Sequence, residues 1–211
     1  NAIGKLCVKL KELPLSKEAK EAIGFVADKL GMEYTGETLG VNFSDEPSGA
    51  VTLNIGMISC DTKNDETKLQ IVLDSRCPVT YGYDDLVPVI KEVFTSNGWK
   101  VEKESWSNPI YKSDDSEIVQ KLLGVYRSIT GDHSPAYCIG GGTYARKLPN
   151  AFAYGLGGIK ESEEDAMLRS QFILPGHGGA HEPDEVLNMN TYMAGLKIMA
   201  RAIIALNKAE I

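Results

Sequence analysis

Two stretches of alternating apolar and polar residues constrain the fold of this chain more than any other feature. Residues 49–60 place apolar side chains at nearly every second position, and residues 68–74 repeat the pattern after a short polar run. Such alternation is typical of a strand with one buried face, and two strands joined by a few polar residues predict a β-hairpin. Patterns with helical periodicity lie before the hairpin, at 2–13 and 17–30, and after it, at 84–97.

The order of these elements predicts an incomplete ferredoxin-like domain over residues 1–108. A third strand pattern, at 99–106, follows the last of the three helices. One more strand upstream of residue 1 would complete a βαββαβ split sandwich with an inserted helix. We therefore expect the first strand of this domain to lie outside the chain.

Residues 109–211 show a different order, in which helices alternate with short strands. This order predicts an α/β layer with parallel strands, so that the fold class of the whole chain is α+β, with a domain boundary near residue 108. A helix capped by Ser113 or Asp114 ends near residue 130 and is followed by predicted strands at 136–139 and 150–156, a solvated loop with an acidic cluster at 157–176, and a closing helix at 191–206.

A glycine run lies between the first of these strands and a potential helix start. Gly140, Gly141 and Gly142 follow the apolar stretch and precede Thr143. A turn of this kind presents free backbone N–H groups in one direction, and glycine lets a ligand approach the main chain without an intervening Cβ. The matching ligand is an anion, either a carboxylate or a phosphate. The spacing fits neither a Walker loop nor a dinucleotide fingerprint, and a plain tight turn explains the same residues equally well.

His181 is the best candidate for a metal ligand. It lies in the run Pro175 to Glu185, Pro-Gly-His-Gly-Gly-Ala-His-Glu-Pro-Asp-Glu, shortly before the closing helix. Imidazole binds zinc well, and a loop before a helix can direct it into a cleft. His177 is the alternative ligand, and a solvated loop histidine is the simpler interpretation of either. Three carboxylates flank His181: Glu182, Asp184 and Glu185. They would orient an imidazole or cap the next helix, and the sequence favours neither role.

Arg76 follows the second strand of the hairpin in the run Leu-Asp-Ser-Arg-Cys-Pro. A guanidinium forms paired hydrogen bonds with a carboxylate or a tetrahedral anion, so an arginine at a strand end is a candidate for substrate binding. The alternative is a solvated side chain with no ligand.

The two motifs together resemble the zinc-dependent aminoacylase and carboxypeptidase superfamily, and more closely its PepV-like branch of dipeptidases, which includes the Xaa-His dipeptidases. In that branch a Gly-Gly-Gly-Thr-x-x-Arg run lies upstream of a histidine in the context Ala-His-x-Pro-Asp-Glu, as Gly140 to Arg146 lie upstream of His181 here. The resemblance covers essentially the whole chain but less than half of such an enzyme. It implies a lid domain over 1–108, followed by the end of the catalytic domain over 109–211.

The resemblance implies a role for each of these residues. His181 would bind one zinc ion, and Arg76 would reach from the lid to the bound dipeptide, although Cys77 replaces the aromatic residue usual after this arginine. Arg146 would bind the substrate or brace the loop. The carboxylate of the dipeptide would be bound by the backbone N–H groups of Gly140, Gly141, Gly142 and Thr143.

The resemblance also implies a mechanism whose main parts lie outside this chain. Two zinc ions would polarise the scissile carbonyl and activate a bridging water, and a glutamate upstream would take its proton. A catalytic zinc needs about three protein ligands, and His181 is the single convincing one here. We therefore expect this chain alone to contain no catalytic residue, to be metal-free and inactive, and to cover its exposed edges and apolar helix faces by self-association.

Two other functions fit the same residues. The chain could be a non-catalytic, half-length binding or oligomerisation module that has kept the anion loop. It could also belong to a related amidohydrolase that acts on N-acyl amino acids instead of peptides.

Composition excludes several classes of partner. The formal net charge of −7 disfavours nucleic acid and anionic membranes, because both attract basic surfaces. No apolar run is long enough to span a membrane, and there is no signal-peptide pattern. The four cysteines are scattered and form no Cys-x-x-Cys pair, which indicates reduced thiols. We expect a cytoplasmic protein.

Overall fold

A computed structural model describes residues 1–64, 66–155 and 158–207. Over these residues the fold is α+β, with six α-helices and two antiparallel two-stranded sheets. The chain forms two compact units. The first comprises Asn1–Tyr111 with Tyr137–Gly141, and the second comprises Lys112–Ala136 with Gly142–Ile211. None of the helices in the described ranges combines the length and apolar character that a membrane crossing requires.

The first unit begins with two helices that approach each other closely, α1 (Ala2–Leu10) and α2 (Lys17–Lys29). The Oδ1 atom of Asn1 caps α1 by accepting hydrogen bonds from the first free N–H groups of the helix. A Cβ placed on Gly4 would lie 1.8 Å from the carbonyl oxygen of Gly31, so only glycine permits this approach. The helix α1 ends three residues before the predicted end at Leu13.

A short sheet of β1 (Ser44–Asp45) and β2 (Gly49–Ala50) is anchored by one carboxylate. Asp45 accepts hydrogen bonds from both the N–H and the hydroxyl of Ser48, and from both the N–H and the hydroxyl of Thr80. Four donors on one carboxylate tie this turn to the segment after the main hairpin. The sequence did not reveal this anchor.

The predicted hairpin is confirmed and is longer than expected. It consists of β3 (Thr52–Lys63) and β4 (Glu66–Arg76), paired antiparallel. The register shifts between Ile55 and Met57, so that Gly56 is an extra residue, a β-bulge. Before the bulge Leu53 and Ile55 are buried, and after it Ile58 packs against the core while Met57 is exposed.

The predicted helix after the hairpin is confirmed as α3 (Tyr83–Ser96). Its residues Leu86 and Phe94 are buried, and Phe94 packs edge-on against Phe25 of α2 at a ring-centroid distance of 5.0 Å. The core of the first unit thus joins both N-terminal helices, the hairpin and α3. Its buried members include Cys7, Val26, Leu30, Leu39, Val41, Val51, Leu53 and Ile55.

The strand predicted at 99–106 is not a regular strand in the structure. Its apolar residues do turn inward, since Trp99 and Val101 pack against the core. It is held by side chains instead of a backbone ladder, with Glu102 accepting a hydrogen bond from Lys68 of β4 at 2.8 Å. Alternation therefore identified the buried face correctly but not the main-chain hydrogen bonding.

The second unit contains α4 (Glu117–Thr130), α5 (Glu163–Ser170) and α6 (Met189–Asn207). The helix α4 packs against α6, and Gly131 ends α4 in the left-handed conformation with φ of 70°. The cap of α4 is Ser116, slightly later than the predicted Ser113 or Asp114. Buried side chains at this packing surface are Val119, Leu122, Leu123, Ile198 and Ala202.

Three predictions for residues 109–211 are wrong in the described residues. The stretches 136–139 and 150–155 are irregular and not strands, so no parallel layer forms there. The predicted acidic loop contains α5, because Ser162 caps a helix whose first turn holds the acidic cluster Glu163 to Asp165. Residues 156 and 157, where the predicted strand ends and the predicted loop begins, lie outside the described residues.

Candidate functional site

The glycine run is an exposed loop that leads into a single helical turn. Thr143 caps this turn, Tyr144–Lys147, because its Oγ1 accepts a hydrogen bond from the N–H of Ala145 at 3.3 Å. The turn is a 3-10 helix and not the α-helix expected from the sequence. A helical turn nevertheless begins directly after Thr143, where the sequence predicted a helix start.

The backbone N–H groups of the loop are available for a ligand. Those of Gly140, Gly141, Gly142 and Thr143 donate to no acceptor among the described residues. None of the three glycines has a positive φ, so the backbone conformation itself does not demand glycine. A Cβ on Gly141 would meet nothing nearer than the Cδ1 of Ile139 at 4.0 Å. What glycine provides here is open space over the main chain.

Arg76 is held against this loop. Its Nη1 donates a hydrogen bond to the carbonyl oxygen of Gly140, and its Nη2 donates to Oδ2 of Asp74 at 3.3 Å. The carboxylate of Asp74 therefore orients the guanidinium at the end of β4 while much of the side chain stays exposed. Arg76 and Gly140, which the sequence identified as separate candidates, are thus in contact.

The residue after Arg76 is not arranged as a nucleophile. Burial raises the pKa of the Cys77 thiol, and the nearby carboxylates of Asp85 and Asp45 raise it further. A thiol with a raised pKa stays protonated at neutral pH and is a poor nucleophile.

Arg146 also lies beside the glycine run, within the second unit. A Cβ placed on Gly142 would lie 3.1 Å from Nη1 of Arg146, which shows that the guanidinium rests against the glycine. The sequence left open whether Arg146 binds substrate or braces the loop, and this contact is compatible with either role. A Cβ at position 142 would require the end of the Arg146 side chain to shift slightly.

His181 lies on an exposed part of its loop in the left-handed conformation, with φ of 66°. Its backbone N–H donates to Oε2 of Glu185 at 3.4 Å. Non-glycine residues adopt this conformation uncommonly, so the loop holds the main chain at His181 in a defined and unusual orientation.

The loop that carries His181 folds on itself through its own carboxylates. Nδ1 of His177 lies 2.8 Å from Oδ2 of Asp184, and Glu182 accepts a hydrogen bond from the N–H of Gly179 at 2.9 Å. The carboxylates therefore orient His177 and the backbone of the loop. The cap of α6 is instead Asn188, whose Oδ1 accepts from the N–H groups of Asn190 and Thr191.

The described residues do not form a metal site by themselves. No group of three or more histidine, cysteine, aspartate or glutamate side chains converges within the described ranges. His181 brings one exposed imidazole, and the adjacent carboxylates are engaged within the loop. A catalytic zinc needs about three protein ligands, so the donor set described here does not fit one.

Comparison with known proteins finds relatives that are named as putative dipeptidases. No protein-family model matches the chain. It is 32% identical over 158 residues to "Putative dipeptidase SH1171" of Staphylococcus haemolyticus, an alignment that covers 75% of this chain and 33% of that protein. It is 29% identical over 197 residues to a "Putative dipeptidase" of Staphylococcus epidermidis, an alignment that covers 93% of this chain and 38% of that protein. It is 32% identical over 164 residues to "Putative dipeptidase SSP1012" of Staphylococcus saprophyticus, an alignment that covers 78% of this chain and 34% of that protein.

These alignments show two facts about the chain. It is related to proteins that carry the dipeptidase name, which supports a dipeptidase family. It spans about a third of the length of the curated relatives it matches, as the shares of 33%, 38% and 34% state.

Proposed function

We propose that this chain is part of a zinc-dependent metallo-dipeptidase, a hydrolase, and that it supplies the site for the free carboxylate of the dipeptide. The carrying observation is the glycine run, whose backbone N–H groups have no acceptor in the described residues and whose surface over Gly141 is open. The dipeptidase names of the relatives support the same substrate class.

The chemistry of the loop suits a carboxylate. Several N–H groups in one short stretch can bind an anion in the way that helix N-termini do. Arg76, which contacts Gly140 within the first unit, is a cation whose planar fork matches a carboxylate. Arg146, beside Gly142 within the second unit, is a separate candidate for binding substrate. A site that requires a free carboxylate at a fixed distance from the scissile bond accepts dipeptides and rejects longer chains. In this proposal Arg76 belongs to a ferredoxin-like lid formed by residues 1–108.

The role of zinc in the proposal is limited to one ligand. His181 would be the imidazole that this chain contributes to a zinc site. The other ligands and the general base would belong to the remaining two thirds of a protein of the relatives' length. The chain alone is therefore expected to be inactive and to bind zinc weakly. The proposal also places the protein in the cytoplasm and allows self-association of the isolated chain.

The test is an assay of the complete protein on dipeptides and on N-acetyl amino acids, before and after treatment with a chelator. We expect hydrolysis of dipeptides that a chelator abolishes and zinc restores, with little turnover of the N-acetyl compounds. Preference for N-acetyl amino acids would indicate an amidohydrolase, and no hydrolysis of either would indicate a binding module. Activity that survives complete metal removal would refute the zinc-dependent mechanism.

The isolated chain provides the second arm of the test. Calorimetric titration with zinc should give a dissociation constant weaker than about 1 μM, since a single imidazole lacks the closed coordination that makes zinc binding tight. Dipeptide hydrolysis by the chain should be absent. Sub-micromolar zinc binding or zinc-dependent turnover would show that the site lies elsewhere in the chain.

A further inference from the structure

A cavity of about 300 Å³, open to solvent on one side, lies in the second unit between the short helical turn after the glycine run and the segment that follows it. The turn contributes Tyr144 and Ala145, its flanking residues contribute Thr143 and Leu148, and the following segment contributes residues 151–154. The sequence indicated no such cavity, because residues 151–154 were expected to form a strand.

The lining of the cavity is uncharged. Arg146 and Lys147 belong to the same turn but do not line it. The hydroxyl of Tyr154 donates a hydrogen bond to the carbonyl oxygen of Leu122 in α4 at 3.0 Å, so this hydroxyl is already satisfied. Burial raises the pKa of Tyr154, which keeps the phenol neutral at physiological pH. A neutral, largely apolar lining favours an apolar ligand group, because a charged group would find no charged partner there while an apolar group would bury surface against the wall.

Thr143 belongs to both features. It directly follows the glycine run, with a backbone N–H that has no acceptor in the described residues, and it is also part of the cavity wall. In an amino acid the carboxylate and the side chain are attached to the same carbon atom. A C-terminal residue whose carboxylate binds the loop therefore has its side chain within reach of the cavity.

We propose that this cavity is the subsite for the side chain of the C-terminal residue of a dipeptide and that it favours an apolar side chain. The inference rests on the proposed function for the identity of the substrate. The volume supports a single residue, since sites for small ligands span roughly 300–1,000 Å³ and this cavity is at the lower limit.

The test compares C-terminal residues in the complete protein, with Gly-Leu and Gly-Phe against Gly-Asp and Gly-Lys. We expect kcat/KM for the apolar pair to exceed that for the charged pair by at least about tenfold, the discrimination usual for an apolar pocket. Ala153→Trp should fill the cavity and raise KM for Gly-Leu, while Gly-Gly, which has no side chain to place, should be affected much less. Ala2→Trp, at an exposed alanine in α1, is the matched control and should leave both substrates unchanged.

A binding measurement separates failure of the subsite from failure of the proposed function. N-acetyl-leucine and N-acetyl-aspartate are titrated into the labelled protein, and the backbone amide resonances of Ala151 and Ala153 are followed. Selective shifts with N-acetyl-leucine in a protein that hydrolyses no dipeptide would support the subsite and refute the peptidase. Dipeptide hydrolysis with equal rates for all four substrates, or with preference for charged residues, would overturn the subsite alone. Absence of both hydrolysis and shifts would overturn both.

Discussion

The guanidinium of Arg76 donates a hydrogen bond to the backbone carbonyl of Gly140, 64 positions later in the chain. Asp74 fixes the same guanidinium from the other side through its Oδ2 atom. The hydrogen bond brings the end of β4 to the beginning of the glycine run, within the first unit. If the loop binds a carboxylate, this arginine is in the right place to contribute to binding.

Arg76→Lys should reduce kcat/KM of the complete protein for dipeptides by about tenfold or more, because an ammonium cannot reproduce the planar fork of the guanidinium. Arg76→Ala should reduce it at least as much. Steady-state kinetics on one dipeptide measure both. Lys63→Ala removes a basic side chain at the hairpin tip, where it forms an exposed ion pair with Asp61, and serves as the control. Wild-type kcat/KM in both Arg76 variants would remove this arginine from the site.

Gly141→Val should raise KM for dipeptides by about tenfold, because the side chain occupies the space over the N–H groups that bind the carboxylate. Folding should be preserved, since a Cβ at this position meets no atom within 4 Å except Cδ1 of Ile139 at 4.0 Å. Gly155→Val is the matched control, because a Cβ there also meets nothing within 4 Å. An unchanged KM in Gly141→Val, with the thermal unfolding curve also unchanged, would argue against the anion loop.

Asp45→Asn should lower the free energy of unfolding at pH 7 by roughly 1 kcal/mol, because an amide replaces an anion that accepts four hydrogen bonds. Although desolvation opposes the shift, hydrogen bonds from Ser48 and Thr80 lower the pKa of Asp45 to about 2. Its contribution is therefore complete above the unfolded-state pKa of about 4 and disappears as the pH falls towards 2.

Urea unfolding at a series of pH values measures this effect. The difference between wild type and Asp45→Asn should shrink as the pH falls from about 4 to about 2. Asp61→Asn, at an exposed ion pair on the hairpin tip, should change stability little at any pH. A difference that stays constant down to pH 2 would show that the charge of Asp45 is not what stabilises the turn.

The isolated chain should self-associate through an apolar stripe on α6. Met189, Met193, Leu196 and Ile203 are exposed by 60%, 48%, 43% and 65%, and their spacing places them on one side of the helix. Ile203→Glu should weaken association by about tenfold, as measured by sedimentation equilibrium. Arg201→Gln changes the net charge equally but lies outside the stripe, and should have no effect. A wild-type chain that stays monomeric at high concentration would contradict this expectation.

The sequence predicted well those features that depend on local patterns. The hairpin, the helices that became α1 to α4 and α6, and the glycine run each carry their own signal in apolar spacing or composition. Features held by hydrogen bonds between distant residues were not predictable. Nothing in the sequence around Asp45 indicated that Thr80 would donate to it, and nothing around His177 distinguished Asp184 as its partner.

Two errors have instructive physical causes. The acidic run after Ser162 was assigned to a loop on its charge, but carboxylates in a first turn stabilise a helix start. The stretch 99–106 was assigned to a strand on its alternation, but burial of one face needs only an extended chain whose side chains find partners. The substrate role of Arg76 and the zinc role of His181 stay predictions, since both depend on ligands that kinetic and binding measurements must supply.

The extra residue at Gly56 affects how this hairpin can be recombined with those of related proteins. On either side of Gly56 the inward-facing positions have opposite parity: odd-numbered at Leu53 and Ile55, even-numbered at Ile58. A chimera joined within β3 must therefore be aligned by the pairing with β4 and not by residue count, because a donor without the extra residue reaches the same partner one position earlier. Deleting Gly56 would leave Ile55 inward, Met57 outward and Ile58 inward opposite the same residues of β4, so the hairpin would lose the local bend of the bulge and keep the direction of its side chains.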